Sequence, residues 1–493
     1  MASRLTFLKI LPMNKHLVTL AVAALATFST LSAQDLETGY FLGGNPFAFR
    51  LNPAFQSERN ILSVGLGRTG VGLSSNLGAS TLVYPMDGKL YLCLNDHVPA
   101  DEFLGKLQRK NYLDLDAQVN LLTVGFWSGK NFFTVDFNVR SMEMVSLPYD
   151  FFRFLKGDKR TGDVFEIAST GLLARNFAEA AFGWSRSFGA LSVGARGKFI
   201  AGLLAADVML DKMKVTVGEE SWSVESQGVL NISSPAVQTD VVKDTDLLNP
   251  NSFRLDWNKA GPAGWGGALD LGVRYDVNPY LSLSAALLDL GLVRWNHETA
   301  YATPDKAHEW APSADDVSAQ TSVFKTELSA LLELAMDFVS WKKVADPRPA
   351  VAWMPFRVHA GAEFRMPFYD RLSVGALYQG RFVDGFARHS GRVSLNWNPL
   401  DFLSLSGSAT VCKFGDSLGF ILNLHPNAVN FLIGCDYIPL HVVSIAPLID
   451  NLEPKYARFA VIPRDRLNLN LYVGLNIAFG RNRLDHAKRF VSK

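Results

Sequence analysis

Along much of this chain hydrophobic and polar residues alternate one for one. In the longest run Leu467, Leu469, Leu471, Val473, Leu475, Ile477 and Phe479 take one parity, and Asn468, Asn470, Tyr472, Gly474, Asn476 and Ala478 take the other. Successive side chains of a strand point to opposite faces, so the run predicts a strand with one apolar face and one polar or small face. It exceeds the ~9–11 residues with which a tilted strand crosses a bilayer. Similar alternation marks residues 133–140, 191–198, 269–276, 357–364, 392–397 and 418–424, the last leading through a turn near Pro426-Asn427 into 429–437. Ser128-Gly129-Lys130-Asn131, Phe188-Gly189-Ala190, Asn278-Pro279, Tyr369-Asp370 and Asn398-Pro399 read as tight hairpin turns between such runs. Consecutive hairpins make an antiparallel meander, and closing it removes the edges. The expected fold is all-β: a transmembrane antiparallel β-barrel of about 14 strands, within about 12–16, with short helical insertions.

Other segments carry helical spacing. Phe103, Leu104 and Leu107 suit a short helix, and Asp150 to Lys156 and Val164 to Leu173 suit two more. From Glu327 to Lys343, Leu328, Leu331, Leu332, Ala335, Phe338 and Val339 predict an amphipathic helix. It falls in a long insertion near 296–354, expected as a non-strand external loop, lid or plug, or as a helix packed on the barrel rim. At the N-terminus, Lys15 and His16 precede an apolar run from Leu17 to Leu31, followed by Ser32-Ala33-Gln34. This is the pattern of a cleavable signal peptide, residues 1–33, with cleavage after Ala33 and Met13 as a candidate start. No later stretch reaches the ~18 apolar residues of a membrane-spanning helix.

Composition narrows the field. The 48 Lys+Arg nearly cancel 47 Asp+Glu, so no nucleic-acid partner is expected. Hydrophobic residues reach 48 %, yet mean hydropathy is only +0.09, as a barrel that alternates its apolar residues allows. The three cysteines, Cys93, Cys412 and Cys435, form no CxxC; the last two are expected as small apolar strand residues, a disulfide between them being the lesser alternative. There is no GxSxG, HExxH or Walker-type loop, and His359, His389 and His425 lack metal spacing. No enzyme activity and no cofactor are expected. Trp127, Trp184, Trp295, Trp353 and Trp397 fall near strand ends, as an interfacial aromatic girdle would place them.

The polar parity of the strands carries charges: Asp136, Arg140, Arg196, Lys198, Asp270, Arg274, Asp276, Arg357, Glu363 and Arg392. Facing lipid at the midplane, an Arg or Lys would cost ~2–4 kcal/mol, so these side chains are expected to face the lumen. Their mixed signs favour salt bridges that rigidify a narrow or plugged barrel over the lining of an ion-selective pore.

Several short motifs resemble one family. Gly43-Gly44-Asn45-Pro46 through Leu51-Asn52-Pro53-Ala54-Phe55 is similar to the Asn-Pro-Ala element near the mature N-terminus of fatty-acid-transporter-like outer-membrane barrels. Residues 191–199, 270–275 and 287–295, with Ser146-Leu147-Pro148-Tyr149-Asp150, resemble an uncharacterised Bacteroidota outer-membrane β-barrel family, a domain of unknown function. The resemblance runs over roughly residues 35–480 and implies a transporter-like barrel of the outer membrane. It implies residues 34–60 as a candidate plug, with Asn52, Pro53 and Ala54 as its hatch, ahead of a barrel over 61–480. A basic tail, 481–493, departs from the pattern in which a terminal aromatic such as Phe479 closes the chain. The expected partners are outer-membrane lipids, the barrel-assembly machinery, and either a small hydrophobic ligand passing through the barrel or an envelope protein bound by a non-transport barrel.

Overall fold

The computed structural model describes residues 37–483, apart from 66–68, 87–88, 96, 243–244, 249–253, 297–299, 305–306, 311–338, 340, 345–349, 384–385, 413–415, 440, 445 and 447–460. Its centre is a closed 14-stranded antiparallel barrel. The first stave is in two pieces, β1 (Asn60–Val64) and β2 (Thr69–Ser75). The chain continues through β3 (Lys110–Ser128), β4 (Asn131–Pro148), β5 (Thr170–Phe188) and β6 (Leu191–Thr216). Strand β7 (Trp222–Ser233) lies off the barrel proper, before β8 (Gly264–Asp276) and β9 (Leu281–Trp295). The meander ends with β10 (Phe356–Arg365), β11 (Leu372–Val383), β12 (Phe386–Leu400), β13 (Leu403–Cys412), β14 (Ser417–Leu424), β15 (Val429–Ile438) and β16 (Asn468–Phe479). Strand β16 pairs with β15 on one side and with β1 and β2 on the other, closing the ring.

The two parities separate as the alternation requires. In β16 Asn468, Asn470, Tyr472 and Asn476 are buried inside, while Leu471, Leu475, Ile477 and Phe479 are exposed outside. In β12 Arg392, Ser394 and Asn396 face in, and Val393, Leu395 and Trp397 face out. Short turns gather at one end. At the other, β3 to β6 run far beyond a bilayer's needs, β6 for 26 residues. There the far half of β6 pairs with β7 in place of β8, and β7 pairs with Ala300–Pro304 and Ala307–Trp310. This extended sheet packs with α1 (Ala100–Leu104) and α2 (Tyr149–Lys156) into a cap with its own apolar core, including Cys93, Phe103, Phe152, Phe154, Phe165 and Trp222. Helix α2 follows Pro148, carries Asp150 in its first turn and Arg153 and Lys156 in its last, and stops at Gly157, so its charges oppose the helix dipole.

Several expectations need correction. Val164 to Leu173 is not a helix: Val164–Glu166 pairs with Lys214 to Thr216, and β5 begins at Thr170. Phe165 and Ile167 are both buried, so alternation and the free edge of β6 decide a segment whose short apolar run fits either period. The insertion near 296–354 is not strand-free, since Ala300–Pro304, Trp341–Lys343 and Ala350–Trp353 all join the sheet. The end of the expected Glu327–Lys343 helix is therefore extended, while 327–338 lie outside the described residues. Asn398-Pro399 is not the hairpin turn but a bulge in β12, and the chain turns at Asp401-Phe402. Trp295 is 2 % exposed and points inward over Gly202, so it belongs to no girdle; Trp127 also points in. Cys412 is not on the apolar parity: it follows buried Thr410 on the inner face of β13, whereas Cys435 faces out from β15. All three cysteines are free thiols.

Candidate functional site

Residues 37–59 run through the barrel interior, which makes room for them with glycines. A Cβ built on Gly194 would stand 2.0 Å from the Pro53 carbonyl oxygen, and one on Gly272 would stand 2.1 Å from Asn52 Oδ1. These two glycines are register partners on β6 and β8. Gly361 and Gly375 clear space for Phe41, and Gly419 for Thr38. Glycine is the residue that lets another backbone approach a strand this closely.

Each stretch of the segment has its own anchor. Asn52 is fully buried, and its Nδ2 donates to Tyr40 Oη at 3.1 Å and to the Val273 and Ala285 carbonyls at 3.2 Å each. Its Oδ1 accepts from Ala54 N at 2.9 Å, which fixes the turn through Pro53. Thr38 donates from N and Oγ1 to Asp436 at 2.7 and 2.6 Å, and Glu37 N donates to the same carboxylate at 3.0 Å. Arg392 closes this clamp, 2.5 Å from Asp436 and 3.4 Å from Glu37. Arg50 bonds to Asn138 and lies 3.6 Å from Asp136. The Arg196 guanidinium lies over the Phe49 ring at 5.4 Å, and His359 Nδ1 sits 2.9 Å from the Leu51 carbonyl. At the short-turn end Trp127 Nε1 donates to the Ser57 carbonyl at 3.0 Å.

The ten charges expected at the lumen divide into three groups, apart from a further pair, Arg381 and Asp116, at 2.5 Å. In the largest, Arg196 bridges Asp136 at 2.8 Å and Asp270 at 3.0 Å, and Lys198 bridges Asp270 at 2.8 Å and Asp289. Arg140 joins Asp289 at 3.0 Å and Glu179 at 2.7 Å, and Arg357 reaches Asp289 at 2.9 Å. This network crosses the neighbouring staves β4, β5, β6, β8, β9 and β10 and meets the inner segment through Arg50. The second group is Arg274, 2.9 Å from Asp276 and 3.7 Å from Glu363. The third is the Arg392 clamp. Asp276 and Arg357 stand at strand ends, the other candidates further in. Sequence reasoning left out Glu179, Asp289 and Asp436, which alternation within their strands could have found. It also left out Glu37 and Arg50, whose irregular segment carries no such signal.

Asp289 is unusual in its backbone as well. Its φ of 61° is left-handed, and Leu288 and Asp289 both point inward opposite Asp270 alone, a β-bulge. Three cations converge on its carboxylate, which compensates the cost of burying it.

Between the inner segment and the wall, at the short-turn end, lies a cavity of about 1080 Å³. Phe41, Phe55, Leu400 and Phe402 give it apolar surface, and Arg274 and His425 give it polar surface. His425 sits in the turn before β15 with Nε2 3.1 Å from Ser404 Oγ; burial, and then the nearby Arg59 charge, hold its pKa below the usual histidine value. Among the described residues no group of three or more His, Cys, Asp or Glu is arranged to hold a metal ion.

Fold and interior together define the class: a closed 14-stranded β-barrel with its own N-terminal segment seated in the lumen. The chain belongs to the Family of unknown function (DUF5723), whose model matches residues 53–436. Comparison with curated proteins gives no match. Among solved structures, the Ralstonia pickettii toluene transporter TbuX is similar at 12 % identity and a TM-score of 0.39, over 90 % of this chain and 98 % of that one. A Pseudomonas aeruginosa FadL homologue is similar at 11 % identity and 0.38, over 91 % and 99 %. A Rh. blastica porin mutant is similar at 7 % and 0.22, over 85 % and 100 %.

Proposed function

We propose that this chain is an outer-membrane barrel, exported by the leader at residues 1–33, in which residues 37–59 act as a plug whose displacement lets small hydrophobic molecules pass. The outer face supports the membrane placement: Val393, Leu395, Trp397, Leu471 and Ile477 are large, apolar and exposed on the outside of a closed sheet. In water an apolar surface of that extent would drive association, whereas in a bilayer it is solvated. Among the described residues no helix is long and apolar enough to cross a membrane, so the strands are what would cross it.

The observation that carries the passage reading is the cavity of about 1080 Å³ beside the segment. It is slightly larger than the ~300–1,000 Å³ usual for small-molecule sites and combines apolar walls with a few polar groups. The ion pairs between wall residues do not run through the segment, so the barrel keeps them when Arg50 and the Thr38–Asp436 clamp let go. The test is uptake of a small aromatic hydrocarbon by cells with and without the gene, alongside a Gly194→Ala strain. Passage predicts reduced uptake in the deletion and raised uptake in the variant; three equal rates would sink it.

A second reading, a barrel that binds an envelope protein, draws support from the cap. Its apolar core makes it a folded body standing beyond the barrel's far end. A stable envelope protein recovered with the wild-type chain and lost on cap deletion, with uptake unchanged throughout, would favour that reading over passage.

A further inference from the structure

Among the described residues, a hollow also lies outside the lumen, on the barrel's outer face. On the outer face of β5, β6, β8 and β9 an open groove of about 720 Å³ has Ala180, Gly197 and Gly267 along its floor and Phe182, Phe199 and Leu290 along its sides. The floor is largely bare backbone, and a Cβ on Gly197 would meet nothing within 4 Å. Phe182 and Phe199 are 56 % and 57 % exposed.

Two bulges shape the groove. At Leu288-Asp289 two successive residues turn inward opposite Asp270, and at Asn176/Phe177 the β5–β6 register slips by one residue. A bulge bends its strand and sharpens the local twist, so the wall dips inward here. The Asp289 backbone is held in its sparsely populated conformation by Arg140, Lys198 and Arg357 on the lumenal side. Residues held in sparsely populated backbone regions by their surroundings cluster at functional sites. The dip is thus fixed from within by charge and left unfilled from without by small residues.

We propose that this groove is a binding site for one acyl chain of a bilayer lipid. The proposal rests on the membrane placement above. The residues flanking the groove on the outer face, among them Phe137 and Leu269, are apolar and exposed like the rest of the lipid-facing band. In the hydrocarbon layer water is excluded, and an empty trough would forfeit the dispersion contacts of its lining. Acyl chains are the molecules present at that depth, and a flexible methylene chain can lie along a floor of exposed backbone between two phenyl rings. The bound chain would contact Phe182 and Phe199 while its headgroup stays at the interface.

The test uses the whole barrel in vesicles of phosphatidylethanolamine and phosphatidylglycerol, doped with a phosphatidylcholine carrying a diazirine in its acyl chain. After irradiation, lipid adducts are mapped by mass spectrometry. The expected result is excess labelling around 180–182, 197–199 and 267–269 over the outward residues Val393 and Leu395, and loss of that excess in Gly197→Leu and Gly267→Leu. Both variants fill the trough without touching the lumen, and a heat-modifiability gel checks that each is folded. Equal labelling of the groove and β12 in the wild type, an excess that survives both leucines, or protomer–protomer adducts across the groove would each overturn the proposal. Absence of adducts at every outward position, β12 included, would instead overturn the membrane placement on which it rests.

Discussion

Gly194→Ala would test how closely the inner segment is fitted to the wall. The added methyl carbon would stand 2.0 Å from the Pro53 oxygen and 2.7 Å from Ala54 N, so it collides with backbone rather than with a side chain that could swing aside. Gly272 occupies the opposing register position on β8, and its own approach to Asn52 leaves the turn no room to retreat across the sheet. The turn must lift away from the wall, and Asn52 then loses its bonds to the Val273 and Ala285 carbonyls. Its amide has two N–H groups to give, each worth about 1 kcal/mol net, so seating weakens by about 2 kcal/mol or ~30-fold in the seated-to-lifted ratio. Amide hydrogen exchange reads this directly. Phe55 N, bonded to the Asn52 carbonyl, and Ala54 N, bonded to Asn52 Oδ1, should exchange ~30-fold faster. Amides of β12 and β16, remote from the turn, should keep their protection. Unchanged exchange at Ala54 and Phe55 in a folded barrel would refute the reasoning that these glycines exist to admit the segment.

Four further outcomes follow from the same geometry. Arg392→Met leaves Asp436 buried without its cation and should lower stability by ~3–5 kcal/mol in urea titrations, with Arg392→Met/Asp436→Asn recovering part of the loss. Asp289→Asn keeps a side chain that tolerates a positive φ while removing the charge on which Arg140, Lys198 and Arg357 converge; a loss of about 3 kcal/mol or more is expected, and a neutral result would show that the network does not brace the wall. Cys93 is 1 % exposed and burial pushes its thiol up to about 12, so maleimide at neutral pH should leave it unlabelled until the cap melts. The lowered pKa of His425 means that the unfolded chain takes up the proton first as pH falls. Its contribution is complete above the unfolded value of about 6.5 and is lost as pH falls toward the folded value, and His425→Gln should flatten that part of the stability–pH curve.

Alternation made the barrel legible because a sheet closed around a polar interior with an apolar outer face keeps strict parity along each strand. Runs such as 392–397 and 468–479 therefore declare both strand and facing. The lumenal charges were legible for the same reason, and Asp136, Arg196, Lys198 and Asp270 do meet in one network. Which charges pair depends on register across separate staves, which no local pattern carries, and so the convergence of three cations on Asp289 appears only in the closed barrel. Parity gives less guidance in the cap, where both strand faces can be covered by protein, and there Val164 to Leu173 imitated a helix. The clearing glycines were hidden differently. Gly194, Gly272, Gly361, Gly375 and Gly419 lie on five strands, and only the closed barrel brings them onto one inner segment.

The two-piece first stave has a consequence for how the molecule is made. The seam that closes the ring joins Asn60 to Phe479, so it brings together the two ends of the barrel's sequence. Closing so long a loop is slow unless something holds the two ends together beforehand. The inner segment reaches both flanks of that seam, through Ser57 to Trp127 on one side and Thr38 to Asp436 on the other. The segment is thus placed to hold the two ends together, besides occupying the finished tube. A chain shorn of residues 37–59 should close slowly and dwell as an open sheet with two bare edges, which makes the order of synthesis, segment first and final strand last, part of the fold's design.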